Sequence, residues 1–409
     1  MRIPLILIGA GLSVAAGSLL GYDELTRKLI YLLLPAMALQ VLFSPISAVL
    51  QGLQDLRPVA IADATGKILF AGVLGLVLVS GYGLLTVAAV MSVTGIVSVG
   101  LAGTALFRRV GFQPHLDLKI WRGILHGGMP FFVWQASLFV YGQIDILQLS
   151  LMTSDAVVGW YAAAYRIISF VGFVPVIITA ALYPAFSAVA VRNVETLAGM
   201  VRRSTELVFV ATLPIALGLA VLSPKIVSTL GYGSEFDNSV PLIAILAVHM
   251  PVVGITMILG SALMALDRQR RWALIGVAAA VINPTLNFVL IPITDDAYGN
   301  GAIGAAAATL ITETFMLLSA LRLLRPHAPG QASVFFLLRA LAAGGIMLSA
   351  VWLVRDGSPL VSIPVGAVVY GATSLALGTI RFDDWREMYG NLRKRASTTP
   401  SADRERPQG

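Results

Sequence analysis

The strongest constraint in this sequence is the recurrence of apolar runs near 20 residues long. At about 1.5 Å of rise per residue, each such run is long enough for a helix to cross the hydrocarbon core of a bilayer. Twelve of these segments can be drawn between residues 3 and 379. The chain of 409 residues is 57% apolar and only 12% charged, with a mean hydropathy of +0.85. A soluble globule averages about 25% charged residues. The predicted class is therefore an all-α membrane protein with about 12 transmembrane helices.

The positions of the charges predict its orientation. If the segments alternate, one set of connections, together with both ends, holds twenty-two basic residues, among them Arg108, Arg109, Arg202, Arg203, Arg268, Arg270, Arg271, Arg322 and Arg325. The opposite connections hold four, Arg27, Lys28, Lys225 and Arg355, with most of the loop carboxylates, such as Glu235, Asp237, Asp295 and Asp296. The excess places the first set and both termini in the cytoplasm. Residues 380–409 are polar and low in hydrophobicity, the composition of a disordered tail. Trp121, Trp160, Tyr161, Trp272 and Trp385 fall near predicted span ends, as an interfacial belt requires.

The composition also excludes several functions. The absence of cysteine rules out disulfides, thiolate metal sites and a catalytic thiol. The four histidines, His115, His126, His249 and His327, have no ligand spacing among them, so neither a metal nor another cofactor is expected. The glycine-rich windows GVLGLVLVSGYG and GNGAIG lack the Gly-Lys-Ser/Thr ending of a nucleotide-phosphate loop. The net charge of +7 follows membrane loops and not a nucleic-acid surface.

Trp272 to Glu313 reads as a transmembrane hairpin whose turn, ITDDAYGNG, faces water. Asn283 and Asn287 share one face of its first helix, beside Pro284, which removes a backbone donor and frees a carbonyl for a side chain or water. Glu313 falls near the middle of the second helix, at about the depth of Asn283. Polar groups at that depth face a bundle interior, so the hairpin should border a hydrated cavity.

Arg2 followed by an apolar stretch looks like a signal peptide, but an internal repeat opposes that reading. Residues 3–22, IPLILIGAGLSVAAGSLLGY, align without gaps on residues 213–232, LPIALGLAVLSPKIVSTLGY, with nine identities that include Pro4/Pro214, Ser13/Ser223 and Gly21-Tyr22/Gly231-Tyr232. SAVLQGLQDLRPVAI from Ser47 likewise matches SALMALDRQRRWALI from Ser261. The first four helices read as copies of the seventh to tenth. The second copy is preceded by two more helices, at 127–151 and 156–188, so the expectation is a first bundle short of two helices and a parallel repeat.

The elements N-P-x-L-N, L-I-P, Y-G-x-x-G and G-A-A-x-A-T-L-I-x-E of the hairpin, with Gln143 to Ile167 and the loops LQGLQDLR and LMALDRQRR, resemble bacterial polysaccharide flippases. These O-antigen and exopolysaccharide transporters belong to the multidrug/oligosaccharidyl-lipid/polysaccharide exporter superfamily. The resemblance implies two pseudo-symmetric bundles of the multidrug-extrusion type: an incomplete N-terminal bundle at 1–110, a six-helix bundle at 120–325 and an extra pair at 334–379. It further implies a non-enzymatic flippase of a bacterial inner membrane. Such a protein moves a polyprenyl-diphosphate-linked oligosaccharide outward by alternating access, among membrane lipids and alongside a polysaccharide polymerase and export machinery. The alternatives are a multidrug or cation antiporter of the same fold and a non-transporting truncated paralogue. A membrane glycosyltransferase or polymerase would need larger outward loops than this chain has.

Six charged residues fall within or at the edges of the spans: Asp63, Lys67, Asp145, Arg166, Glu206 and Glu313. Lys67 lies about nine residues, or roughly 13 Å, into its segment and Arg166 about ten into its own. As substrate-binding cations they would face each other across a cleft and neutralise a diphosphate, with Asn283 and Asn287 as polar lining. The structural alternative pairs Lys67 with Asp63 at i,i+4 and Arg166 with Asp145. Asp145 and Glu313 are candidates for proton or sodium coupling. Alternatively, Glu313 bonds Asn283 or a hydroxyl such as Thr309. Glu206 and His249 read as packing residues.

A chain without native cysteine makes the orientation directly testable. Asp237→Cys should react with an impermeant maleimide added to intact cells, whereas Arg270→Cys should react only after permeabilisation. The opposite pattern would reverse the assignment.

Overall fold

A computed structural model describes residues 2–53, 55, 57–111, 118–191, 193–325 and 330–380. The tail from Arg381, with Trp385, and Arg192 lie outside the described residues, as do the side chains of Arg2, Lys119, Trp121 and Arg122. The described residues form thirteen α-helices and no strand. Ten of the helices are long and apolar enough to cross a membrane, so the chain is a multi-pass membrane protein.

The chain divides into two compact units, Met1–Met129 and Pro130–Gly409. The first holds α1 (Arg2–Leu19), α2 (Glu24–Gly52), α3 (Arg57–Val79) and α4 (Leu84–Val110), and α5 (Leu118–Met152) runs from it into the second. The second continues with α6 (Asp155–Val171), α7 (Phe173–Ala190), α8 (Val194–Thr229), α9 (Val240–Ala265), α10 (Gln269–Tyr298) and α11 (Ala302–Leu324). It closes with α12 (Gln331–Leu353) and α13 (Pro359–Ala376).

The residues paired in the repeat adopt matching local structure. In the first unit α1 packs on α2, α2 on α4, and α3 on α4; in the second, α8 packs on α9, α9 on α11, and α10 on α11. Gly21 and Gly231 both close their helices with positive φ, 73° and 78°. Only a residue without Cβ takes that conformation freely, which accounts for the shared Gly-Tyr pair. The loops that follow the second helix of each copy are also tied to the end of the fourth helix. Asp55 forms an ion pair with Arg109, and the Arg268 guanidinium donates to the Leu323 carbonyl.

Within the second unit α9 is the central element, with 61% of its apolar window buried, whereas the corresponding window of α2 is not buried at all. One core cluster gathers Leu149, Tyr161, Leu242 and Ile243; another gathers Phe186, Val208, Ile258 and Trp272. Close approach depends on glycine at two places. A Cβ on Gly260 would come within 2.9 Å of the Trp272 indole, and one on Gly304 would run into the Leu290–Ile291 backbone of the hairpin partner. Tyr161 and Trp272 are thus buried in protein.

Two expectations change in detail. The apolar segment 156–188 is two helices, α6 and α7, with the break at Gly172. Pro175, in the first turn of α7, has no N–H to continue α6, and a helix's first turn needs none. The acidic stretch Asp295-Asp296 belongs to the last turn of α10, and the turn itself is Gly299 to Gly301, held by the Gly301 N–H donating to the Asp295 carboxylate at 2.9 Å.

The pair α12 and α13 packs on α8 through Val210, Leu213, Ala340, Ala343 and Tyr370. Pro214 cannot donate to the carbonyl four residues back, which is that of Val210. The Tyr370 hydroxyl of α13 donates to that carbonyl at 3.1 Å. Tyr370→Phe should therefore lower stability by about 0.5–1.5 kcal/mol, the range for hydrogen bonds between membrane helices. In a Pro214→Ala background, where residue 214 regains its N–H, the same change should cost much less. Thermal unfolding of the four proteins in detergent measures the coupling, and equal losses in both backgrounds would refute it.

Candidate functional site: a buried polar network in the second unit

Apolar helices leave any polar side chain in their interior short of water, so each must find a protein partner. In the second unit α5, α6, α10 and α11 bring six such groups together. The Asp145 carboxylate accepts three hydrogen bonds: from the Tyr161 hydroxyl at 2.8 Å, the Thr309 hydroxyl at 2.6 Å and the Asn287 amide at 2.7 Å. The Asn287 amide also donates to Gln148 Oε1 at 2.8 Å. Asn283 and Asn287, one turn apart on α10, are both fully buried, and the Asn283 amide lies 3.5 Å from the Thr309 hydroxyl.

Pro284 was expected to leave a carbonyl for a side chain. Gln148 Nε2 donates to the carbonyl of Pro284 itself, at 3.0 Å. The proline and the asparagines beside it are thereby fastened to α5 at one point.

One turn along both α5 and α11 lies a second carboxylate. Glu313 accepts from the Tyr141 hydroxyl at 2.9 Å, and His249 Nε2 of α9 stands 3.9 Å from it. The two acids thus share a motif, each held by a tyrosine. Tyr141 and Asp145 are i and i+4 on α5, as Thr309 and Glu313 are on α11.

The structure brings four sequence-predicted residues, Asp145, Asn283, Asn287 and Glu313, into this one region. It leaves Arg166 and Lys67 outside the network. Arg166 is exposed on α6 and makes no ion pair among the described residues; Asp145 is engaged elsewhere. Lys67 is 76% exposed on α3 and pairs with Asp63 at 2.7 Å. Glu206 accepts from the Ser333 hydroxyl at 2.9 Å, joining α8 to α12. Sequence reasoning passed over Tyr141 and Gln148 and read Tyr161 as part of an interfacial belt, whereas it is buried and bonded to Asp145. The signal was present in Gln148, three residues after Asp145 on the same apolar helix, and in Tyr141, one turn before it, whereas Tyr161, nearer a span end, also suits a lipid interface.

Beside Asp145 the second unit has a partly open cavity of about 430 Å³ at the break between α6 and α7. Tyr141, Tyr165, Phe173, His249 and Thr309 contribute to its wall. Among the described residues no group of three or more histidine and carboxylate side chains is arranged to hold a metal ion.

Comparison with known proteins gives these features a context. Residues 3–190 match the family described as polysaccharide biosynthesis protein. The probable flippase AglR of Haloferax volcanii is 26% identical over 250 residues, which cover 58% of this chain and 51% of the relative. The chain thus spans about half the length of that curated relative. Among solved structures, the lipid II flippase MurJ in an inward closed conformation superposes with a TM-score of 0.72 at 18% identity, covering 91% of this chain and 81% of that one. The MurJ likeness concerns the fold, while the family match and the relative concern the sequence. Residues 3–190 are thus similar to the polysaccharide biosynthesis family, and the fold is similar to that of MurJ.

Proposed function

We propose that the chain moves a polyprenyl-diphosphate-linked oligosaccharide across a bacterial inner membrane by alternating access, during cell-surface polysaccharide biosynthesis. The family match and the flippase relative support the substrate class. No bond is made or broken in such a step, so the chain needs no catalytic group. The basic connections and both termini lie in the cytoplasm in this reading, and a polymerase and export machinery take the product.

The observation that carries the proposal is the placement of two cations. Lys67 lies ten residues, or about 15 Å, into α3, and Arg166 eleven residues, or about 16 Å, into α6. Both side chains are exposed on helices otherwise clothed in apolar residues. An arginine or lysine at such depth is too costly against hydrocarbon and belongs beside water or an anion. A diphosphate headgroup supplies that anion. The planar guanidinium of Arg166 can engage two phosphate oxygens at once, while Lys67, already held by Asp63, acts as a shared point charge. The buried asparagines Asn283 and Asn287 hold the wall behind Asp145. Asp145 and Glu313 are the groups that would couple the cycle to a proton or sodium gradient.

Arg166→Gln should reduce export of surface polysaccharide by about tenfold or more, equivalent to about 1.4 kcal/mol of lost stabilisation. Lys67→Gln should act in the same direction but more weakly, because Asp63 already compensates part of its charge. Wild-type export in a normally expressed Arg166→Gln protein would overturn the role of the cation. Export unaffected by collapse of both gradients would remove the coupling role of the two carboxylates.

A further inference from the structure

His249 sits ten residues, or about 15 Å, into α9, which places it at mid-span. Its Nε2 is buried and makes no hydrogen bond. That nitrogen stands 3.9 Å from Glu313 Oε2, the same oxygen that accepts from the Tyr141 hydroxyl. A ring nitrogen left unpaired in an apolar interior is costly, and ionisable groups at such depth carry function by default. The ring also lines the cavity at the break between α6 and α7, as does Tyr141, whereas Glu313 is 4% exposed and does not line it. His249 and Tyr141 therefore touch both the cavity and the carboxylate behind its wall. Of the two, only an imidazole changes charge near neutral pH.

The titratable groups around the ring are few. Glu313 is the only one on α11 before Arg322; Tyr141 and Asp145 reach the cavity from α5, and Tyr165 reaches it from α6, where Tyr161 is bonded to Asp145. α7 has none before Tyr183, α8 none between Glu206 and Lys225, and α10 none between Arg271 and Asp295. Glu235 and Asp237 precede α9 by about three turns of helix. The Thr256 hydroxyl is a further hydrogen-bond partner of Glu313. Asp145 has no comparable neighbour. Its three partners, the hydroxyls of Tyr161 and Thr309 and the amide of Asn287, keep their protons at neutral pH, and none is a base.

We propose that His249 is the proton-transfer residue of Glu313. It carries protons between the cavity and this carboxylate, so the ion that Glu313 exchanges is the proton and not sodium. The inference rests on the coupling role given to Glu313 above and adds the route by which that carboxylate is filled and emptied. Closing 3.9 Å to a hydrogen bond takes a movement of about 1 Å. The N–H bond at Nε2 of the imidazolium then breaks and an O–H bond forms at Glu313 Oε2, turning a charged pair into a neutral one. The ring takes its next proton from a hydronium ion that reaches the cavity, and release runs through the same steps in reverse.

The test is time-resolved infrared spectroscopy of hydrogen–deuterium exchange at the Glu313 carboxyl, with the full chain in lipid vesicles and the band identified by its loss in Glu313→Gln. Wild type should show the band somewhere within about pH 5 to 8, the range in which an imidazole changes charge. His249→Ala should slow its exchange by about tenfold or more. Added imidazole should restore the rate in that variant, and pyrazole, a ring of the same size but a far weaker base, should not. If His249→Ala does not fold, His249→Gln should show the same slowing. Absence of the carboxyl band, exchange unaltered in the variants, or a rate that imidazole and pyrazole restore equally or that neither restores would overturn the assignment and leave His249 a packing residue. The measurement needs no substrate, so its failure is distinguishable from that of the coupling role, which is read from export under collapsed gradients.

Discussion

Polar groups placed where water is scarce must be satisfied by the protein itself, and much of the second unit follows from that requirement. Asp145 is the most demanding case. Its carboxylate lies on an apolar helix and draws donors from three others: Tyr161 of α6, Asn287 of α10 and Thr309 of α11. Leaving one such group unpaired costs more than the bond itself contributes, so the four helices are fixed in register with one another. Gln148 extends the same logic to the backbone by accepting from Asn287 and donating to the Pro284 carbonyl.

Proline creates the same demand elsewhere. Pro214 withdraws a donor from the middle of α8, and Tyr370 of α13 supplies one to Val210. The helix pair α12 and α13 is therefore part of the packing of the second unit, which Glu206 and Ser333 reinforce one turn away along α8. Pro175 has a different outcome. The helix divides at Gly172, and the cavity lies at the division.

The charges sort into two classes with different consequences. Asp145 and Glu313 are buried, hydrogen-bonded and confined to one region of one unit. Lys67 and Arg166 are exposed on their helices, Lys67 paired with Asp63 and Arg166 without an ion pair among the described residues. The two classes thus lie on different parts of the helices, the carboxylates inside the packing and the cations outside it.

The apolar runs, the Gly-Tyr turn shared by Gly21 and Gly231, and the prominence of Asn283, Asn287, Asp145 and Glu313 were all legible from residue order alone. Helix length against bilayer thickness, the glycine requirement of positive φ and the cost of intramembrane charge are local constraints, written wherever the residue stands. Partner choice was not legible. Asp145 has Arg166 on the next helix yet bonds Tyr161, Asn287 and Thr309, and Thr309 serves Asp145 and not Glu313. Those choices depend on which helix faces meet, and that is set by packing between segments as much as 164 residues apart. The sequence by itself determined the membrane, the helices and the polar residues that had to be satisfied inside them; only the tertiary structure decided which of those residues satisfy one another and where the acidic cavity opens.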